Sequence, residues 1–158
     1  MKIAGYRKEA VLSLRLYADD ILSSNLLAKE KNFMQHGCVS VYSHSVSVSI
    51  MALILCRIFS IKADERSLVR GALLHDYFLY DWHKKDPGHK WHGFTHSRRA
   101  LKNAARDFHL NKTEQDIILT HMFPLNLTLI PRKKESALVC LADKLCALHE
   151  TFFCRKIR

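Results

Sequence analysis

Residues 39–60 read VSVYSHSVSVSIMALILCRIFS, and how this stretch folds decides the class of the protein. Its Val and Ser residues suit a strand. Yet the stretch runs 22 residues without a turn signal, well beyond ordinary strand length, which predicts a long, central, buried helix. The flanking segments agree. Residues 7–22 place Ala10, Val11, Leu14, Tyr17 and Ile21 at helical spacing, and a shorter helix fits 24–33. Asp64 is placed to cap a helix ending near Leu74, and Thr95 to cap one over 96–108. Thr113 with Asp116 has the pattern of a capping box for a helix to Met122, which Pro124 ends. A last helix follows Pro131 and runs to Phe153, with Ala137, Leu138, Leu141, Leu145 and Leu148 expected on its core face. No period-2 strand stands out. The expected class is all-α, a single-domain bundle of about six or seven helices.

The chain has 158 residues, which fits one domain over 1–158 with a core that needs no disulfide or metal staple. Apolar residues make up 48% and charged residues 25%, and only 5 Gly and 3 Pro occur, so collagen-like and low-complexity classes are excluded. Lys plus Arg (25) exceed Asp plus Glu (15), giving a net charge of +10, which suits either an anionic partner such as phosphate or solubility alone. The Cys count is 5 (Cys38, Cys56, Cys140, Cys146, Cys154), an odd number with no CxxC pair. Reduced thiols and a cytoplasmic setting are expected, with Cys140, Cys146 and Cys154 as core thiols. Asp19 and Asp20 interrupt any signal-peptide core, and the longest apolar run, residues 50–56, is too short to span a bilayer. A soluble protein with no membrane partner is expected. GxSxG, Walker and GxGxxG motifs are absent.

Histidine is over-used, at 10 residues, and neutral imidazole is a good transition-metal ligand. Four apolar helical segments each contain a metal-binding side chain: His44 in VYSHSVSVS, His75-Asp76 in RGALLHDYF, His121 in DIILTHMFP and Asp143 in VCLADKLCAL. An Asp inside an apolar pattern needs a cation or a partner. Singly, each has a plain structural explanation: a hydrogen-bonded core His, a turn Asp, an Asp paired with a nearby Lys. As an ordered set they point to a metal.

The order His44, His75-Asp76, Asp143, with ALLHD before the break and LADK around the last Asp, resembles the HD-domain superfamily of metal-dependent phosphohydrolases over roughly residues 36–150. Two-metal members carry two more His between the doublet and the final Asp, and His96 and His121 stand in those places. The resemblance implies one ion held by His44, His75, Asp76 and Asp143, and another by Asp76, His96 and His121. Asp76 would be the bridging, catalytic carboxylate. A mixed N/O set suits Fe, Mn, Co, Ni or Zn. Such ions would activate a bridging hydroxide and neutralise the phosphate. His92, four residues before His96, competes for its role, and Ala100 and Ala104 at helical spacing favour His96. Tyr77, Phe78 and Leu79 follow the doublet where several subfamilies carry Lys or Glu, and the GYP triplet of cyclic-di-GMP phosphodiesterases is missing. The pattern is nearest to small stand-alone HD proteins, including the diadenosine-tetraphosphate hydrolase type.

The segment WHKKDPGHKWHGFT, residues 82–95, is expected as a loop. It is either a solvated loop, a cover whose Tyr80, Trp82 and Trp91 stack on a base while His83, Lys84 and His92 approach phosphate, or a His-rich zinc site using His83, His89, His92 and His96. Three functions therefore compete. The first is a phosphohydrolase for a nucleotide or other small phosphate ester. The second is a catalytically silent HD nucleotide sensor. The third is a basic nucleic-acid-binding module, for which no recognition motif is present.

Overall fold

A computed structural model of the chain describes residues 2–84 and 91–153, the side chains of Lys2 and His36 excepted. Pro87, Gly88, His89 and Cys154 lie outside the described residues. The elements in order are α1 (Lys2–Leu22), α2 (Asn25–Ala28), a 3-10 turn (Lys29–Asn32), β1 (Met34–His36), β2 (Val39–Ser40), α3 (Val41–Ile58), α4 (Glu65–Leu74), α5 (His92–Asp107), α6 (Lys112–Thr120) and α7 (Lys134–Phe153). Among the described residues the protein is all-α apart from one small antiparallel hairpin.

The stretch that opened the reading is helix α3. Ser40 caps it by accepting the Ser43 amide, and Val48, Ala52 and Leu53 are fully buried. By length and composition alone α3 could cross a membrane, but half of it is buried among α1, α4 and α7 in the middle of the bundle. Asp64 caps α4 as expected, accepting the Ser67 amide.

Four expectations shift. The 34–40 hairpin has no period-2 pattern because it is too short, and it turns at Gly37, whose φ of 56° favours glycine. Helix α5 begins at His92 rather than after Thr95, and the Thr95 hydroxyl donates to the Trp91 carbonyl instead of capping. The capping box of α6 is Asn111 with Glu114, not Thr113 with Asp116. Asp116 instead accepts from the Arg132 amide and the Ser136 hydroxyl at the start of α7.

The fourth shift concerns the face of α7. Only Leu138 of the expected stripe is buried, while Ala137, Leu141, Leu145 and Leu148 face outward. The buried face carries Ser136, Val139, Ala142, Asp143, Cys146 and Glu150. Polar groups point inward because His44 is there to receive two of them. Leu138→Ala is therefore expected to cost about 2–5 kcal/mol in urea unfolding, whereas Leu141→Ala should stay within about 0.5 kcal/mol. Equal costs would reverse the facing of α7. The described cysteines are free: Cys56, Cys140 and Cys146 are buried and Cys38 is exposed.

Candidate metal centre

The predicted ligands arise from five helices and the break after one of them. His44 lies one turn into α3, His96 in the second turn of α5 and Asp143 in the middle of α7. His75 and His121 are the residues that close α4 and α6, each still in helical backbone conformation. Asp76 follows His75 where the chain leaves α4. All six are buried, and they meet. His44 Nε2 is 3.0 Å from Asp143 Oδ1, and His75 Nε2 is 3.4 Å from Asp76 Oδ2 and 3.7 Å from Asp143 Oδ1. On the other side, Asp76 Oδ1 is 3.2 Å from His96 Nε2 and 3.4 Å from His121 Nε2. One carboxylate thus faces two groups of donors. His44, His75 and Asp143 form one set of mutually close ligand atoms, and His75, Asp76 and His121 form another.

The imidazoles are held for this task. His75, His96 and His121 each place Nδ1 2.7–2.8 Å from a backbone carbonyl, of Ala72, His92 and Ile118 respectively. His44 Nδ1 meets the Glu150 carboxylate at 2.8 Å. With Nδ1–H committed to an acceptor, each ring turns Nε2 toward the centre. Lys144 steadies the arrangement: its ammonium donates to the His121 carbonyl at the end of α6, at 3.0 Å, and to the Cys140 carbonyl within α7, at 3.2 Å.

Do the residues fit a metal? Two buried atoms at the centre, His75 Nε2 and Asp76 Oδ1, have no hydrogen-bond partner. His96 Nε2 and His121 Nε2 lie 2.9 Å apart. Two imidazole lone pairs at that distance repel unless a cation or proton lies between them. Without metal, protons serve. Burial disfavours charge on His44, but the hydrogen bonds from its ring to Asp143 and Glu150 outweigh it and push its pKa up to about 10. His96 is likewise raised despite burial, because Asp76 is beside it, while burial lowers His121. Burial would raise Asp76 and Asp143, yet the surrounding imidazoles hold both well below the usual carboxylate range. Four nitrogens and two carboxylates around buried, unpartnered atoms form a donor set that could hold a divalent metal. Its uptake would displace these protons.

A cavity of about 730 Å³ opens on the centre, lined in part by Gln35, Trp82, His92, Met122, Leu125 and Lys144. His92 is therefore at the cavity and not in the ligand cluster: its ring stacks on that of His96, and its Nδ1 pairs with the Tyr80 hydroxyl at 2.6 Å. His83 and Lys84 lie on the exposed stretch beyond Trp82, each close to Asp81, and neither lines the cavity. Three functional side chains escaped the sequence reading: Glu150, Gln35 and Lys144. Glu150 sits seven residues after Asp143, the spacing of one helix face, which is the signal that pairs them on His44.

A family model described as the HD domain matches residues 41–148. The chain belongs to the HD-domain family. This places it in the metal-dependent phosphohydrolase superfamily, and the matched span contains all six clustered residues. No curated protein and no solved structure matches the chain.

Close to this HD centre lies an acid without a partner. Glu30, in the 3-10 turn, is fully buried, and neither carboxyl oxygen has a hydrogen-bond partner. Burial, with the charge of Asp76 added, holds its pKa well above the ordinary 4.5. The unfolded carboxyl ionises above that pH while the folded one keeps its proton, so stability falls as pH rises from 4.5 to the folded pKa. Glu30→Gln lacks this loss. In urea unfolding of chelator-treated protein, its advantage over wild type should grow with pH, by up to about 1.4 kcal/mol per pH unit. An advantage independent of pH would contradict the assignment.

Proposed function

We propose that this HD protein hydrolyses a nucleotide or another small phosphate ester, using two divalent transition ions held by His44, His75, Asp76, His96, His121 and Asp143. The observation that carries the proposal is the division of Asp76, with Oδ2 toward His75 and Oδ1 toward His96 and His121. When bound, such ions supply charge neutralisation for phosphoryl oxygens and an activated water near neutral pH. The chain supplies the rest. Committed Nδ1 atoms fix four imidazoles in the ligating orientation before any ion arrives, which removes reorganisation from the binding step. Asp76 holds the two halves in register. Met122, Pro124, Leu125 and Ala147 form an apolar wall on one side of the cavity, which lowers the local dielectric and strengthens electrostatic contacts beside it. Lys144 brings positive charge to the cavity beside Asp143, where a phosphate would enter. Trp82, stacked on His92 with rings 7° from parallel, gives a flat edge suited to a base. A cytoplasmic setting and a small phosphorylated partner complete the proposal.

The test is metal quantitation on the purified protein, followed by chromatographic product analysis on nucleoside phosphates and dinucleoside polyphosphates in each candidate metal. Turnover in at least one metal is expected. A protein that binds no metal and turns over nothing would refute it, and an intact ligand retained with metal present would indicate a sensor. DNA or RNA binding that survives chelation and falls steeply with salt would indicate the nucleic-acid module. Within the site, His96→Ala should reduce turnover at least about 100-fold and His92→Ala less than about 10-fold. The reverse ranking would give the ligand role to His92.

A further inference from the structure

The hairpin β1–β2 lies before the residues that the HD family model matches, and it brings Gln35 onto the centre. Gln35 is 7% exposed, and its side-chain amide donates to Asp76 Oδ2. The amide must present nitrogen, since an amide oxygen facing a carboxylate oxygen would repel it. Gln35 Oε1 is also buried and has no partner. A side chain that gives up water to hydrogen-bond a buried carboxylate, and leaves its own acceptor unmatched, is costly unless it has a function.

We infer that Gln35 is the positioning residue of the bridging carboxylate. Oδ2 has one direction occupied by the Gln35 amide and turns its other toward His44 and His75, at 3.9 and 3.4 Å. That fixes the rotation of the carboxylate and aims Oδ1 at the His96–His121 pair. Without the amide, Asp76 loses the contact that pins Oδ2, and only the imidazoles remain to divide its oxygens between the two donor groups. The hairpin thus extends the metal centre beyond the matched family region.

This role rests on the metal-centre proposal, and one experiment separates the two. Full-length wild type, Gln35→Met, Gln35→Asn and Met34→Ala are titrated with Mn²⁺, with free ion followed by electron paramagnetic resonance. Melting is recorded for each. Gln35→Met keeps the bulk and loses the donor; Gln35→Asn keeps the donor and loses reach. Met34→Ala changes an exposed neighbour on the same strand. Wild type and Met34→Ala are expected to bind two ions alike. Both Gln35 variants should weaken at least one binding step by about 10–100-fold, the usual effect of losing an outer-shell partner. At saturating Co²⁺, their visible spectra should differ from the wild-type spectrum. Wild-type affinity and spectrum in either folded Gln35 variant would overturn the role of Gln35 and leave the centre standing. Weakening in Met34→Ala equal to that in the Gln35 variants would also overturn it, by tracing the effect to the hairpin as a whole. Wild type that binds no ion would overturn the centre and this role together.

Discussion

Asp76→Ala is expected to leave a folded protein that binds at most one ion and has lost turnover by at least about a thousandfold, or ~4 kcal/mol of transition-state stabilisation. The size follows from the position of Asp76 between the two donor groups. In the proposed assignment each other ligand holds one ion, whereas Asp76 offers Oδ2 to one donor group and Oδ1 to the other. The substitution also removes the charge that keeps a proton on His96, so that the His96–His121 contact loses its anionic counterpart. Folding should survive, because Asp76 is held mainly by imidazoles and by Gln35 and not by the apolar core. Metal stoichiometry and activity, measured on the same preparation, test this. A variant that retained two ions and more than about a tenth of wild-type turnover would remove Asp76 from its bridging position.

The second large effect is on stability. Arg70 on α4 is 4% exposed, and its guanidinium donates to Glu114 on α6 at 3.1 Å and to both carboxylate oxygens of Asp20 on α1 at 2.6 and 2.7 Å. Glu114 is fully buried and also closes the capping box of α6. Arg70 therefore fastens three helices, and its loss would leave the buried Glu114 charge with only the more distant Arg66 guanidinium, 3.8 Å away, as a cationic partner. Arg70→Met is expected to cost about 3–5 kcal/mol, a fall in Tm of roughly 6–20 °C for a domain of this size. Adding Glu114→Gln should recover part of the loss, because the buried charge is then gone. Urea unfolding of the single and double variants measures both. A cost below about 1 kcal/mol for Arg70→Met would mean that the pair contributes little to holding the helices.

Much of the centre was legible because evolution of an apolar core leaves few reasons for a polar interruption. His44, His75-Asp76, His121 and Asp143 stand out as metal-binding interruptions of largely apolar helical segments. The all-α class followed from the length of the 39–60 stretch, and α3 occupies most of it. What stayed hidden has a common physical cause. Periodicity reports which residues share a face but not which face is covered. Leu141, Leu145 and Leu148 share one, and so do Asp143, Cys146 and Glu150; the His44 imidazole decides between them by drawing the carboxylates inward. Glu150 and Gln35 read as surface residues until a distant part of the chain gives them a partner. Similarly, Asn111–Glu114 and Thr113–Asp116 both offer a capping pattern, and the choice falls to Glu114, which Arg70 holds from another helix.

Crystals of the metal-loaded protein, measured for anomalous scattering at the absorption edge of the bound metal, test the central claim most directly. Two peaks about 3.5–4 Å apart are predicted, with Asp76 between them. One should lie against His44, His75 and Asp143, the other against His96 and His121. An ion bound elsewhere with this cluster empty, or a single ion that Asp76 does not touch, would contradict the account.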